Sequence, residues 1–152
     1  LNIPGSIDDK VNPWLAPIVD SLDFLFSMSD DQPKSKRPAR MSPFEELQAA
    51  QVLESCALTF IRGRSIPHQF IIIDEAQQIT KEELKTILTR AGEGTKIILT
   101  GDYGQIDNPY LSADTNGLVY CVDKFKDETI AAHIAFTKCE RSELAETSAR
   151  IM

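Results

Sequence analysis

A chain of 152 residues with 42% hydrophobic and 26% charged residues has the balance of a folded globular domain, long enough to bury a proper core. Its apolar runs, such as Phe70–Ile73 and Ile97–Leu99, fall far short of the roughly 20 residues a membrane helix needs, which excludes a transmembrane segment. With 16 Lys+Arg against 23 Asp+Glu the net charge is −7, so any contact with nucleic acid has to be local.

The first residue is Leu1, and no basic start is followed by an apolar stretch. No signal peptide is expected, and the chain reads as a fragment or a processed piece. The basic residues Lys34, Lys36, Arg37 and Arg40 cluster in a stretch that reads as a solvated loop. Cys56, Cys121 and Cys139 are odd in number and never form a CxxC pair, which argues for reduced thiols in a cytoplasmic setting and against zinc. His68 and His133 are too isolated to complete a metal site.

In chain order, the apolar spacing over Ile7–Phe26 predicts a helix, with Pro13 at its start and Pro17 within its first turn. Residues 27–41 form an expected flexible basic loop. Ser42-Pro43-Phe44-Glu45 is a capping box that opens a helix expected to run to about Ser55. Ala57–Ile61 is an expected short strand. Phe70–Ile73 is an unbroken apolar strand, whose continuity suggests cover on both faces and a parallel sheet. A second capping box, Thr80–Glu83, opens a helix expected to stop at Gly92 or Gly94. Lys96–Leu99 is the next strand, followed after a loop by a helix over about Gly117–Phe125, a strand over Thr129–Phe136 and a final helix over Glu143–Met152. Alternating strands and helices predict an α/β fold of three layers around a mainly parallel sheet.

Ligands of such sheets bind beyond the carboxyl ends of the strands. Three polar clusters lie there: Arg62/Arg64, Asp74-Glu75-Ala76-Gln77 and Gly101-Asp102-Tyr103-Gly104-Gln105. An apolar strand ending in Asp-Glu is the Walker B arrangement. It places Asp74 to bind Mg²⁺ through water and Glu75 to orient or deprotonate an attacking water. Gln77 adds a neutral hydrogen-bonding group on the same loop. Gly101 permits close backbone approach, and the amide of Gln105 can contact a terminal phosphate without opposing its charge. Asp74, Glu75 and Asp102 also suit a paired-carboxylate nuclease site, which leaves the glutamines without a role.

Phe70–Leu118 resembles the core of the PhoH-like family, the phosphate-starvation-inducible ATPases. Phe60–Pro67 is similar to the stretch before that family's Walker B strand. Ile3-Pro4-Gly5, Asn12-Pro13-Trp14 and Ala16-Pro17-Ile18 match in order near the start, and Lys138–Ser142 matches the closing Glu-Arg-Ser motif. The resemblance covers Leu1–Phe26 and Ala57–Met152. It implies a RecA-like P-loop NTPase core, here partial, in a cytoplasmic protein that binds ATP and Mg²⁺, is linked to RNA and often forms a homo-oligomeric ring. On the matching positions it implies Asp74 as the Mg²⁺-associated acid, Glu75 as the catalytic base and Gln105 as a γ-phosphate sensor. Gln77, Gly101 and Asp102 would border the nucleotide. Arg141 takes the place of a cation that stabilises the transition state, or else pairs on the surface beside Glu140. Arg62 and Arg64 would serve RNA, a neighbouring subunit or surface pairing.

No GxxxxGK[ST] occurs in the chain, so the family's Walker A loop and strand are expected upstream of Leu1. The reading is then of the C-terminal part of a PhoH-like ATPase domain, holding the hydrolytic half of a site. Its rivals are an RNA-binding or assembly module with a lapsed nucleotide site, and a metal-dependent nuclease. Without a nest of backbone N–H groups and its lysine, β- and γ-phosphates lack a cradle. The 152-residue chain alone is therefore expected to bind ATP weakly or not at all; micromolar affinity by calorimetry would refute this.

Overall fold

In a computed structural model of the chain, which describes residues 7–29, 42–58, 61, 63–137 and 142–151, strands β1 (Phe70–Ile73) and β2 (Lys96–Leu99) pair in parallel. The helices are α1 (Ile7–Ser29), α2 (Pro43–Ala49), α3 (Lys81–Leu88), α4 (Gly117–Phe125) and α5 (Glu143–Ile151). The α/β class and the parallel pairing stand as the alternation of elements implies. Contacts divide the chain into two units, Leu1–Ile61 and Arg62–Met152. Among the described residues no helix is long and apolar enough to cross a membrane.

In the first unit α1 packs against α2, and Phe44 is buried. The helix α1 starts at Ile7, so Pro13 and Pro17 lie in its interior rather than in its first turn. Each removes one i→i−4 hydrogen bond. The capping box of α2 forms as expected: Ser42 Oγ accepts from the Glu45 amide, and the Glu45 carboxylate accepts from the Ser42 amide. The helix ends at Ala49, well short of Ser55. Gln51 adopts a left-handed conformation, φ 56°. Its N–H donates to Gln48 O at 2.9 Å, and that of Val52 donates to Leu47 O at 3.0 Å. This is a Schellman ending with glutamine where glycine is usual, so no glycine marks it in the sequence. Ala57–Ile61 is not a strand in its described part: the Ile61 N–H closes a local turn on Leu58 O at 3.2 Å instead of joining a ladder. Residues 30–41, which hold most of the expected basic loop, lie outside the described residues.

In the second unit Ile71 pairs with Ile97 and Ile73 with Leu99 on one sheet face, and that face is the better covered. Phe70, Ile72 and Ile98 on the other face are exposed, so the expected cover on both faces is present on one. The buried side comprises Ile73, Ala76, Ile79, Leu84 and Ile87, joined by two polar residues, Gln77 and Asn116. Helix α3 begins on its capping box, Thr80 with Glu83, and leaves helical geometry after Leu88 rather than at a glycine. The reason is a bridge: Ala91 pairs in parallel with Ile66, the Ile66 N–H donating to Arg90 O and the Gly92 N–H to Ile66 O. Thr129–Phe136 is irregular rather than a strand. Ile130, Ile134 and Phe136 are exposed, and a β pattern without a partner ladder has nothing to hold it extended.

Helix α4 packs against α3 and against the 3-10 turn Ala76–Gln78. Asn116 governs that docking. Its Oδ1 accepts from the Val119 N–H at 2.9 Å, and its Nδ2 donates to Ser112 O at 2.9 Å and Ala113 O at 2.8 Å. The next amide, Gly117 N–H, donates to Ile79 O at 2.7 Å. A Cβ on Gly117 would stand 2.8 Å from that carbonyl oxygen, so only glycine permits the approach. Cys56 and Cys121 form no disulfide among the described residues, and burial pushes the Cys121 thiol above its ordinary pKa. Replacing Asn116 by alanine is expected to lower unfolding stability by about 1–3 kcal/mol, because it removes a cap and two donors from a buried position. Urea unfolding followed by circular dichroism checks this, and an unchanged midpoint would contradict it.

Candidate functional site

The parallel pairing of β1 and β2 brings the segments after Ile73 and Leu99 side by side. Asp74 directly follows β1 and Thr100 directly follows β2, and the Thr100 hydroxyl donates to Asp74 Oδ1 at 2.6 Å. The same carboxylate oxygen accepts the Glu75 N–H at 3.0 Å. Asp74 is exposed. Its other oxygen accepts no hydrogen bond from the described residues, which leaves it open to solvent or a ligand.

Glu75 sits in the left-handed region at φ 53°, ψ 41° and leads into the 3-10 turn. A side chain in that region costs about 1–2 kcal/mol, and such strain gathers at functional positions. The turn is anchored across the strands, since the Ala76 N–H donates to Thr100 O at 2.9 Å. Strand end, strained acid and anchored turn thus form one hydrogen-bonded corner.

Gln77 is fully buried beneath this corner. Its Nε2 donates to the Glu75 carboxylate and, at 3.0 Å, to the backbone oxygen of Gln105. Its Oε1 accepts the Asp102 N–H at 3.2 Å. Both amide hydrogens and one acceptor position are therefore used, as a buried amide requires. Gly101 lies against this side chain: a Cβ there would fall 2.3 Å from Gln77 Oε1 and 3.2 Å from the Ala76 nitrogen. Gln78 continues the bridge. Its Nε2 donates to Gln105 O at 3.0 Å and Asp107 Oδ2 at 3.3 Å, while its Oε1 accepts the Asp107 and Asn108 amides, each at 3.1 Å.

Within the second loop Asp102 organises a tight turn. Its Oδ1 accepts the Gly104 N–H at 2.8 Å, and its Oδ2 accepts from Gln105 Nε2 at 3.0 Å. The Gln105 side chain is exposed and held back against its own loop. The arrangement presents two carboxylates, one strained in place, beside a neutral amide, all at the carboxyl ends of parallel strands. Ligands of open α/β sheets bind at such carboxyl ends.

The whole chain, over residues 2–152, matches the family model described as PhoH-like protein. The chain belongs to the PhoH-like family. It is 47% identical over 150 residues to Protein PhoH2 of Bacillus subtilis, a match covering 99% of this chain and 32% of that protein. It is 34% identical over 143 residues to Protein PhoH2 of Mycolicibacterium smegmatis, covering 94% of this chain and 30% of that protein. It is 37% identical over 125 residues to the PhoH-like protein of Mycobacterium tuberculosis, covering 82% of this chain and 31% of that protein. The chain thus spans about a third of the length of these relatives.

Of the residues singled out in the family motif, Asp74, Glu75, Gln77, Gly101, Asp102 and Gln105 come together in the network above. Arg64 is exposed on the segment before β1. Arg62 and Arg141 lie outside the described residues. Thr100, Gln78, Asp107 and Asn108 also belong to the network, though no motif in the sequence marks them. A hydroxyl at the carboxyl end of β2 and a doubled glutamine after Asp-Glu-Ala were the available signals. Gly101→Ala is expected to push the Gln77 amide off the Asp102 N–H and to destabilise the fold by about 1–3 kcal/mol. Faster hydrogen exchange across residues 101–107, with a lower unfolding midpoint, checks it; a wild-type profile would contradict it.

Proposed function

We propose that this chain carries the hydrolytic half of an ATP-hydrolysing PhoH-like protein. The observation that carries the reading is the joining of the Asp74-Glu75 corner and the Gly101–Gln105 loop by one hydrogen-bonded network beyond parallel strand ends. That crevice is where ligands of α/β sheets sit. In this reading the chain is the C-terminal part of the ATPase domain, acting with phosphate-cradling residues that the sequence above does not contain.

Mg²⁺ fits the residues present. Asp74 is exposed, with one oxygen fixed by Thr100 and the Glu75 amide and the other open to a metal-bound water. When bound, Mg²⁺ neutralises charge on the terminal phosphates. Glu75 orients the attacking water and takes its proton, and its left-handed backbone holds the carboxylate at the lip of the corner. Gln105 turns from Asp102 to the terminal phosphate, with Gly101 and Asp102 bordering the nucleotide. Gln77 lies beneath rather than against it, as its complete burial requires. Arg141 is assigned the transition-state cation, and Arg62 and Arg64 contacts to RNA or a neighbouring subunit. The activity is proposed to drive RNA remodelling by a cytoplasmic homo-oligomer. The nuclease alternative receives less support, because both Asp102 oxygens are taken up by Gly104 and Gln105 within its own loop.

In the full-length gene product, Glu75→Gln is expected to lower ATP turnover by about 10²–10⁴-fold with ATP binding retained. Steady-state phosphate release and equilibrium nucleotide binding measure the two. Wild-type turnover in the variant would remove Glu75 from the role of base.

A further inference from the structure

The amides of Gln77 and Gln78 have a task that the ligand roles above do not use. The two hydrogens of Gln77 Nε2 are divided between the Glu75 carboxylate and the carbonyl of Gln105, which is 28 residues further along the chain. Gln78 grips the same carbonyl and extends the hold to the backbone of Asp107 and Asn108. The segment carrying Gln105 is thus fastened to the corner at both of its ends, with Gln77 holding the Asp102 amide at the near end.

We propose that Gln77 and Gln78 form a clip that couples the Glu75 carboxylate to the Gln105 loop, so that movement of the loop at a terminal phosphate repositions the acid. This rests on the ATP-hydrolysing reading of the site. The Gln105 side chain is stored on Asp102 Oδ2, and in this scheme it lets go to reach a phosphate and draws its loop backbone with it. A shift of the Gln105 carbonyl changes the geometry of Gln77 Nε2, whose other hydrogen holds Glu75. A glutamine amide suits this position because it donates twice and accepts once while carrying no charge into a fully buried place. Gln77 and Gln78 are positioning residues in this scheme, and neither touches the nucleotide.

The test uses the full-length gene product with Gln77→Met, which keeps the length but removes the hydrogen bonds, and Gln78→Met at the less buried neighbour. Both are expected to lower turnover by about tenfold or more. The affinity for a fluorescent ATP analogue with Mg²⁺ is expected to change by less than about threefold, so the loss falls on kcat. Gln78→Met, which leaves the buried amide intact, decides the matter if Gln77→Met does not fold. Hydrogen exchange supplies a second readout independent of turnover. In Gln78→Met, exchange should rise not only at Asp107 and Asn108 but also at Glu75 and Ala76 on the opposite side of the clip. Exchange confined to residues 107–108, or turnover and affinity falling together, would overturn the coupling. A wild-type protein that hydrolyses no ATP would instead defeat the functional reading, leaving the exchange pattern to judge the clip.

Discussion

A single buried amide holds the candidate site together. Gln77 has no access to water, so each of its polar atoms must find a partner inside the protein or leave a desolvation penalty uncompensated. The partners it finds lie on two loops distant in sequence, and meeting them dictates where those loops stand. Gly101 lacks a side chain where Gln77 passes, and the 3-10 turn that carries Gln77 is pinned by the Ala76 amide to the end of the neighbouring strand. Moving any one of these alone leaves a buried donor or acceptor empty, which ties the corner and the loop together although most of their residues face solvent.

The surrounding fold supplies that constraint with its boundary conditions. Two short parallel strands set the spacing between the loops, and α4 closes the buried side by docking on the 3-10 turn. Asn116 and Gly117 permit the docking: one satisfies a buried helix start, the other allows backbone to approach backbone. The hydrophobic contribution comes from a small set, with Leu84 and Ile87 of α3 and Ile73 of β1 at its centre. Polar and apolar burial are interleaved here rather than separated.

Much of this was legible in the residues. Capping boxes at Ser42 and Thr80 are local, so their sequence signature carries the physics that forms them, and both helices start where expected. The strands Phe70–Ile73 and Lys96–Leu99 were visible for the same reason: dense β-branched residues bounded by polar ones. Helix ends were harder. The ending at Gln51 uses a residue with no special liking for left-handed geometry, and α3 ends because Ala91 is drawn to Ile66, a contact between distant segments. Thr129–Phe136 has the composition of a strand, yet strand formation depends on a partner that composition does not supply. In the site, the acids and Gln105 were marked by motif. The linking function of Gln77 and Gln78 was not, since a side chain that reaches across nearly 30 residues leaves no periodic trace.

The left-handed backbone of Glu75 sets this position at odds with its own surroundings. Glycine would occupy that conformation without steric penalty, and asparagine at a smaller one than glutamate. Losing the carboxylate would also leave one hydrogen of the fully buried Gln77 amide without its partner, at a cost of about 1–3 kcal/mol that offsets the relief of strain. Folding stability by itself therefore gives this position only a narrow preference between the acid and a calmer backbone. A glutamate retained here more strictly than that narrow margin accounts for would mark selection on what the protein does rather than on how firmly it folds.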